Sequence, residues 1–364
     1  MKQNTTYKQT ELGLIPEDWE VKKLGELGFF FKGKGVPKTS IETEGKYKCL
    51  TYGDLYTKYD YVIKNVKSFI NDASDSQEIN FGDICIAGSG ETIEDIGKCA
   101  VFIDDKTGYA GGDIIIFRSD ENPLTLSYIL NSDLCKRQKY RLGQGHSVVH
   151  IYSSQLQNLK IPLPPLPEQK KIADCLSTWD SAIEKQSALI NALTQRKKAL
   201  MQQLLTGKKR LPGFSGEWKE VKLGEISIKK SSTLQANSLE ENNGEFKVYG
   251  ASGIVANIDF YNESEEYIGI VKDGSGVGNL MLCDAKSSVL GTLDIIKNNK
   301  KSNLFFIYLI LSKIHFEKYK VGGAIPHIYY RDYSREKINI PALSEQTAIA
   351  AILATADREL TLQK

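Results

Sequence analysis

A long helical pattern in the middle of the chain most constrains its fold. After the proline-rich residues 161–167, a helical pattern begins at Glu168, and apolar side chains recur at alternating spacings of four and three residues. They are Ile172, Leu176, Trp179, Ile183, Ile190, Leu193, Leu200 and Leu204, and the polar Gln186 and Lys197 occupy the two remaining positions. A period of 3.5 residues held over this length is typical of a coiled-coil helix. We therefore predict a spacer helix roughly 57 Å long, at 1.5 Å per residue.

The sequence on either side of this helix reads as two copies of one unit. Three pairs of segments match in the same order: residues 19–26 and 218–225, residues 84–90 and 270–276, and residues 150–152 and 327–329. The proline-Glu-Gln lead-in also recurs, at Glu168-Gln169 and at Glu345-Gln346. Each copy combines short strand patterns with a helical one, over residues 124–140 in the first and 303–319 in the second, and Leu304–Leu311 reads as a buried helix. We therefore predict an α+β fold with two similar mixed α/β domains. The predicted boundaries are 1–160, 161–206 for the lead-in and long helix, 207–340, and 341–364 for a second, shorter helix.

Composition and missing motifs narrow the function. The 364 residues are 41% hydrophobic and 25% charged, with a net charge of only +2, so a nucleic-acid surface would be a local patch. The six cysteines form no CxxC and no zinc spacing, which favours a reduced, cytoplasmic protein, and no apolar run is long enough for a membrane span. Phosphate-loop, GxSxG, HExxH and kinase motifs are absent. We therefore predict no catalytic residue, no metal and no cofactor on this chain.

The remaining chemistry is typical of binding. Basic, aromatic and amide side chains gather in loops of both copies, where they suit phosphates and base edges. The predicted DNA-binding residues are Lys32, Lys34, Lys38, Tyr52, Lys58, Arg141, Gln144, His146 and Ser147 in the first copy and Lys229, Lys230, Gln235, Lys272, Asp273, Ser275, Lys320, Tyr329, Tyr330 and Arg331 in the second. Taken singly, each is better explained as part of a solvated loop. The recurrence of the set favours DNA binding.

Two further features each have a structural and a functional interpretation. The basic run from Arg196 to Arg210 either neutralises the helix dipole or lies along DNA, and the sequence does not decide between them. His150 and His327 stand before Ile-Tyr in both copies, and we interpret them as hydrogen-bonded structural residues rather than ligands.

These repeats resemble the specificity (S) subunit of type I restriction-modification systems. The resemblance rests on residues 19–26 and 218–225, on the IPLPPLPEQ segment 161–169 with its helix, and on the IPALSEQ segment 340–346 with its own. It implies two target recognition domains, each reading one half of a bipartite, asymmetric site in double-stranded DNA, with paired helices setting the spacer. It also implies two modification subunits that methylate adenine with S-adenosylmethionine, and restriction subunits that use ATP and Mg²⁺.

The second helix is short for this arrangement. In an antiparallel pair, a helix ending at Lys364 covers only about residues 186–206. Apolar side chains left in water cost on the order of 1.5–3 kcal/mol each. Either residues are missing from this chain, or a partner covers these side chains. For the second case we predict a seam that docks a modification subunit or a second copy of the chain, formed by Ile172, Leu176, Trp179, Ile183, Ile349 and Leu353.

Two other functions stay open at this point. One is a non-enzymatic coiled-coil adaptor with two protein-binding domains, which the basic, aromatic loops in both copies argue against. The other is a solitary methyltransferase or nuclease, which the missing motifs argue against.

Overall fold

A computed structural model describes residues 6–145, 148–239 and 244–363 of the chain. The chain divides into two compact units, Met1–Ile183 and Glu184–Lys364, and the boundary falls inside the long helix. Each unit combines short, mostly antiparallel strands with a few helices. The predicted α+β class with an internal repeat is confirmed, whereas the finer domain boundaries stay a prediction.

The first unit is built from strands β1–β15 and helices α1–α5. The strands are β1 (Tyr7–Thr10), β2 (Gly13–Pro16), β3 (Glu20–Lys23), β4 (Gly28–Lys32), β5 (Tyr47–Leu50), β6 (Val62–Ile63), β7 (Phe69–Ile70), β8 (Gln77–Ile79), β9 (Ile84–Ala87), β10 (Ser89–Gly90), β11 (Cys99–Phe102), β12 (Gly108–Ala110), β13 (Ile114–Ser119), β14 (Val149–His150) and β15 (Lys160–Leu163). The helices are α1 (Tyr52–Thr57), α2 (Pro123–Leu130), α3 (Asp133–Leu142), α4 (Ser153–Leu156) and α5 (Leu166–Leu204). Helix α5 continues into the second unit.

A five-stranded sheet forms the centre of the first unit, in the order β4-β13-β9-β11-β6. Strand β9 and the first four residues of β13 are fully buried, which fits their continuous runs of isoleucine, cysteine and phenylalanine. Leu126 and Leu130 of α2 pack on one face of this sheet. A second sheet, β7-β5-β12-β8, lies in the same unit.

The second unit repeats this plan with fewer strands. Its elements are β16 (Lys219–Lys222), β17 (Ser227–Ser231), β18 (Phe246–Gly250), β19 (Gly253–Ile258), β20 (Tyr267–Val271), β21 (Leu280–Cys283), β22 (Ser288–Val289), β23 (Leu293–Asn298), β24 (Lys337–Ile340), α6 (Leu304–Leu311), α7 (Tyr330–Tyr333) and α8 (Leu343–Leu362). The sheet β17-β23-β20-β21 corresponds to β4-β13-β9-β11, and the parallel pair β18-β22 corresponds to β5-β12.

In each unit the strand before the Leu-Gly-Glu repeat pairs with the last strand. Strand β3 runs antiparallel to β15, and β16 runs antiparallel to β24. The repeated Leu-Gly-Glu forms a 3₁₀ turn after the first strand of each pair. In both units the leucine N–H then donates to a backbone carbonyl beside the last strand, on Leu159 and on Glu336. The opening sequence repeat therefore marks a strand that closes its own unit.

The glutamine of each Glu-Gln pair attaches the following helix to the domain. Gln169 is fully buried, accepts a hydrogen bond from the Asn122 N–H at 3.0 Å, and donates to the Pro164 carbonyl at 2.8 Å. Gln346 makes the same two contacts, with the Asn303 N–H at 3.1 Å and the Pro341 carbonyl at 3.0 Å. Both asparagines cap the next helix of their unit. This shared anchor explains why the sequence element occurs twice.

The structure corrects the predicted register of the Gly-Ser-Gly match. Ala87 pairs with Ile114 in the first unit, and Val271 pairs with Leu293 at the corresponding place in the second. Ser89 therefore corresponds to Asp273 rather than to Ser275. The sequence match is two residues out of register because the loop after this strand differs in length between the units.

Two helices predicted as continuous are interrupted. Residues 124–140 divide into α2 and α3, because Ser132 accepts a hydrogen bond from the Cys135 N–H and starts a new helix. Residues 303–319 contain α6 followed by a separate 3₁₀ turn, Phe316–Tyr319. The buried helix predicted at Leu304–Leu311 is confirmed.

Candidate nucleic-acid interface

Lys32, a predicted DNA-binding residue at the end of β4, lies beside the aromatic rings of His150 and Tyr152, which stand between β14 and α4. Lys32, His150 and Tyr152 line one pocket of about 100 Å³ in the first unit, together with Gly88 and Gly112. The Lys32 side chain is exposed and forms no ion pair with any residue that the structure describes. Residues more than a hundred positions apart in the sequence thus meet at one surface.

The His-Ile-Tyr repeat has the same geometry in both units. The rings of His150 and Tyr152 lie 6.5 Å apart with an interplanar angle of 21°, and those of His327 and Tyr329 lie 6.5 Å apart at 18°. The histidine Nδ1 is hydrogen-bonded in each case, to Ser89 Oγ at 2.9 Å and to Asp273 Oδ1 at 2.6 Å. The prediction that these histidines are hydrogen-bonded is confirmed.

The other predicted residues of the first unit are spread over several loops. Lys34 pairs with Asp75 at 3.2 Å, and Lys58 pairs with Asp54 at 2.8 Å. Tyr52 is partly buried at the start of α1, while exposed side chains are those of Lys38, Arg141 and Gln144. His146 and Ser147 lie outside the described residues. Of the described residues of this set, Lys32 lines the pocket beside the His150–Tyr152 stack, and the Gln144 backbone pairs with that of His150.

In the second unit, three predicted lysines face buried carboxylates. Lys230 donates to Glu263 at 2.5 Å, and Lys229 and Lys272 lie 3.3 and 3.6 Å from Asp294. Both acids are almost fully buried. The three lysines therefore neutralise acids inside the unit. Lys230 is the most exposed of them, with 57% of its side chain accessible.

The protonation of Glu263 follows from these contacts. Burial by itself would raise the pKa of Glu263, but the hydrogen bonds from Lys230 and Lys297 outweigh it, so the pKa lies below its ordinary value. Lys297 lies 2.6 Å from this carboxylate. Glu263 is thus a buried anion held between two cations.

The remaining predicted residues of the second unit lie around the His327–Tyr329 stack or apart from it. The Arg331 guanidinium lies 4.9 Å above the Tyr329 ring, and its side chain is 76% exposed. The Tyr330 hydroxyl instead contacts Ser227 at 2.9 Å, which gives this ring a packing role. Lys320 pairs with Glu317 at 2.6 Å, and exposed side chains are those of Gln235 and Ser275.

The apolar seam on the long helix is partly open. Leu176, Trp179 and Ile183 are 37%, 66% and 62% exposed, and Ile172 is half-buried. Ile349 and Leu353 are different, because both are buried in the core of the second unit against Leu200 and Leu204. Their predicted availability to a partner is therefore wrong, since they already pack within their own chain.

The predicted antiparallel pairing of the two helices is confirmed. In the second unit, Gln186 donates to Gln363 at 2.7 Å and Arg196 donates to Glu359 at 3.0 Å. Lys197 pairs with Asp357 between these contacts and the buried leucines. Lys197, a polar residue at a seam position, is therefore accommodated by an acid on the facing helix.

Tyr152 is the main residue of this surface that the sequence prediction did not include. It is 53% exposed and stacks on His150 beside Lys32. Its counterpart Tyr329 was predicted to bind DNA. The repeat itself, which places Tyr152 opposite Tyr329, was the signal that could have identified it.

Comparison with known proteins agrees with this two-unit plan. The sequence matches the family described as "Type I restriction modification DNA specificity domain" over residues 16–195 and again over residues 215–364. The chain is therefore a DNA-recognition protein of the restriction-modification class. It belongs to the family of type I restriction-modification DNA specificity domains and carries two of them.

Similar proteins span nearly the same length. A putative type I restriction enzyme MjaX specificity subunit from Methanocaldococcus jannaschii is 30% identical, over 98% of this chain and 91% of the relative. The type I restriction enzyme MjaVIII specificity subunit of the same organism is 26% identical, over 96% and 88%. The fold is similar to the crystal structure of a type I S subunit from M. genitalium, with a TM-score of 0.70, 19% identity, and coverage of 95% and 91%.

Two features are absent from the described residues. They contain no helix that is both long and apolar enough to cross a membrane. They also contain no group of three or more His, Cys, Asp or Glu side chains arranged to hold a metal ion.

Proposed function

We propose that each unit reads one half of a bipartite DNA site and that the paired helices set the distance between the halves. What supports this proposal is the repeat: two specificity domains on one chain share their sheet order, their closing strand pair and their glutamine anchor. Their loops differ in length and charge. A common frame with different loops suits two readers with different targets.

We also propose that the chain is non-catalytic within its complex. Modification subunits would methylate adenine with S-adenosylmethionine, and restriction subunits would use ATP and Mg²⁺. The absence of catalytic motifs from the sequence supports this division. Incubation of the purified chain with DNA and labelled S-adenosylmethionine tests it, and methyl transfer by the chain alone would overturn it.

The decisive experiment exchanges one reader. Residues 17–165, which begin before β3 and end after β15, are replaced by the matching segment of another specificity subunit, and methylated adenines are mapped genome-wide with each chain present. We expect one half of the methylated motif to change while the other half stays the same, because the second unit is untouched. A change in both halves would contradict the two-reader proposal.

The open seam is the proposed docking surface for a modification subunit. Trp179, at its centre, is the most exposed of its apolar side chains. Trp179→Glu should prevent co-purification with the modification subunits because it places a charge in an apolar contact. Leu189→Glu is the matched control, since Leu189 lies on the same helix, is 42% exposed and does not belong to the open seam.

The outcome separates the proposed occupants. Loss of the modification subunits with Trp179→Glu, and their retention with Leu189→Glu, would support the proposal. Normal assembly of Trp179→Glu would contradict it. A change only in the self-association of the chain would identify a second copy as the occupant.

A further inference from the structure

The two His–Tyr stacks differ mainly at their flanks. We define the stacks as His150 with Tyr152 and His327 with Tyr329. One flank is the hydrogen-bond partner of the histidine, which is Ser89 in the first unit and Asp273 in the second. The shared frame is a hairpin: the backbone of Gln144 pairs with that of His150, and the backbone of Val321 pairs with that of His327.

The second flank lies in the short helix that follows each tyrosine. Tyr152 precedes α4 and Tyr329 precedes α7, so Ser154 and Arg331 are both the second residue of their helix. The Arg331 guanidinium covers the Tyr329 ring at 4.9 Å, whereas Ser154 leaves the face of Tyr152 without a cation from this position. The second unit therefore carries an exposed arginine at the stack, together with two carboxylates, Asp332 at 3.7 Å from Arg331 and Asp273 at His327.

The stacks also differ in the lysine nearby. In the first unit Lys32 at the end of β4 lines the pocket with His150 and Tyr152. The corresponding position in the second unit is Ser231, because Lys32 pairs with Ile115 and Ser231 pairs with Asp294 in equivalent strands. In the second unit Lys272 stands at the position of Gly88, but its amine lies 3.6 Å from the Asp294 carboxylate, so its charge is paired inside the unit.

The tyrosine of each stack suits a DNA phosphate better than the histidine does. Nδ1 of each histidine is engaged, and at His327 it donates to the Asp273 carboxylate, so Nε2 of the neutral ring is an acceptor there. The tyrosine side chains are 53% and 44% exposed, and their hydroxyl groups can donate. Side chains of this kind, together with Lys and Arg, make most of the contacts that position a protein on the DNA backbone.

We propose that the His–Tyr stacks are equivalent phosphate-binding sites of the two units, and that Arg331 gives the second site one phosphate contact that the first site lacks. This inference rests on the proposed DNA-reading function. The structural alternative is that each stack only closes its hairpin. That alternative predicts no effect of an exposed Arg331 on DNA binding beyond its net charge.

The test exchanges the flanking residues and measures the salt dependence of binding. The variants are Arg331→Ser, Ser154→Arg and the double exchange, each in the full chain within its purified complex, with a mixed-sequence DNA duplex as the probe. Each phosphate contact contributes about 0.9 to the slope of log affinity against log salt. We expect Arg331→Ser to lower this slope by about 0.9, Ser154→Arg to raise it by about 0.9, and the double exchange to restore it.

The expected change is large enough to measure. A fourfold rise in salt should weaken the unchanged complex about 3.5 times more than it weakens Arg331→Ser. Arg335→Ser is the matched control because Arg335 is exposed four residues further along and is not in contact with the Tyr329 ring. An equal loss of slope in Arg335→Ser would show an effect of net charge alone and would overturn the inference.

Two further variants separate failure of the phosphate-site inference from failure of the proposed DNA-reading function. Tyr152→Phe and Tyr329→Phe keep the stacked ring and remove only the hydroxyl, so we expect weaker DNA binding with unchanged thermal unfolding. Unchanged binding in both, together with unchanged slopes in the exchange variants, would overturn the inference alone. If the unchanged complex showed no salt-dependent binding to duplex DNA, the proposed function would fail instead.

Discussion

At the residue scale, equivalent glutamates have different partners in the two units. Glu168 accepts a hydrogen bond from Trp19 Nε1 at 3.0 Å. The corresponding Glu345 is almost fully buried and accepts hydrogen bonds from Nε and Nη2 of Arg210, each at 2.8 Å. Trp218, which corresponds to Trp19, is left with a buried Nε1 that has no hydrogen-bond partner among the described residues. The second unit has thus replaced a neutral donor by an arginine.

This replacement makes Arg210 a strong determinant of stability. Arg210→Met should lower the free energy of unfolding of the second unit by about 3 kcal/mol, because it leaves the buried Glu345 carboxylate without its cation. Lys209→Met, which removes an exposed neighbouring charge, is the control and should change stability by under about 0.5 kcal/mol. Urea denaturation followed by circular dichroism measures both, and equal effects would contradict the argument.

Glu263 predicts a pH dependence at the same scale. Its folded pKa lies below its ordinary value, so it stabilises the fold fully above the unfolded pKa of about 4.3 and loses this contribution as the pH falls through the folded pKa. Unfolding free energies measured from neutral to acidic pH should therefore fall less steeply in Glu263→Gln than in the unchanged chain. Parallel acid-side curves would contradict this role of Glu263.

At the element scale, α8 has one buried face and one exposed face. Leu353 is fully buried, while the adjacent Ile352 is 37% exposed. Leu353 packs in the same cluster as Leu204 of α5 and Ile307 of α6. The short second helix is therefore a part of the core of the second unit as well as the partner of the long helix.

This packing predicts a sharp contrast between neighbouring positions. Leu353→Ala should destabilise the second unit by about 2–5 kcal/mol, because it opens a cavity among side chains that are held by three helices. Ile352→Ala should cost under about 1 kcal/mol because its side chain already contacts water. Chemical denaturation compares the two variants, and a similar loss in both would indicate that α8 is not packed as described.

At the scale of the whole molecule, each unit has its own hydrophobic core. Ile116 lies in a cluster of the first unit, and Leu353 lies in one of the second. The units share only the continuous helix α5 as a covalent element. Separate cores in one chain favour separate unfolding transitions.

Calorimetry can test this independence. Ile116→Ala, at a fully buried position, should lower one transition midpoint by about 6–12 °C and leave the other in place, given about 3 kcal/mol lost from a core of this size. Leu353→Ala should lower the other midpoint. A single transition that moves with both variants would show that α5 couples the two units into one cooperative structure.

How far the sequence predicted this molecule depends on the range of the interactions involved. The long helix was placed within two residues of its observed start, because its apolar period is a local property of the chain. The break at Ser132 was missed, since its capping hydrogen bond competes with an otherwise helical apolar pattern. The correspondence of Ser89 with Asp273 was hidden by a loop of different length. The meeting of Lys32 with Tyr152 depends on tertiary contacts and has no local signal.

The pairing of β3 with β15 and of β16 with β24 has a genetic consequence. A coding segment that begins before β3 and ends after β15 specifies a domain whose two ends lie side by side. Recombination at those points would exchange one domain for another while the connections to the rest of the chain stay in place. The same applies to the segment between β16 and β24. A cell that exchanges such a segment would acquire a new DNA specificity in one event while the rest of the chain is inherited unchanged.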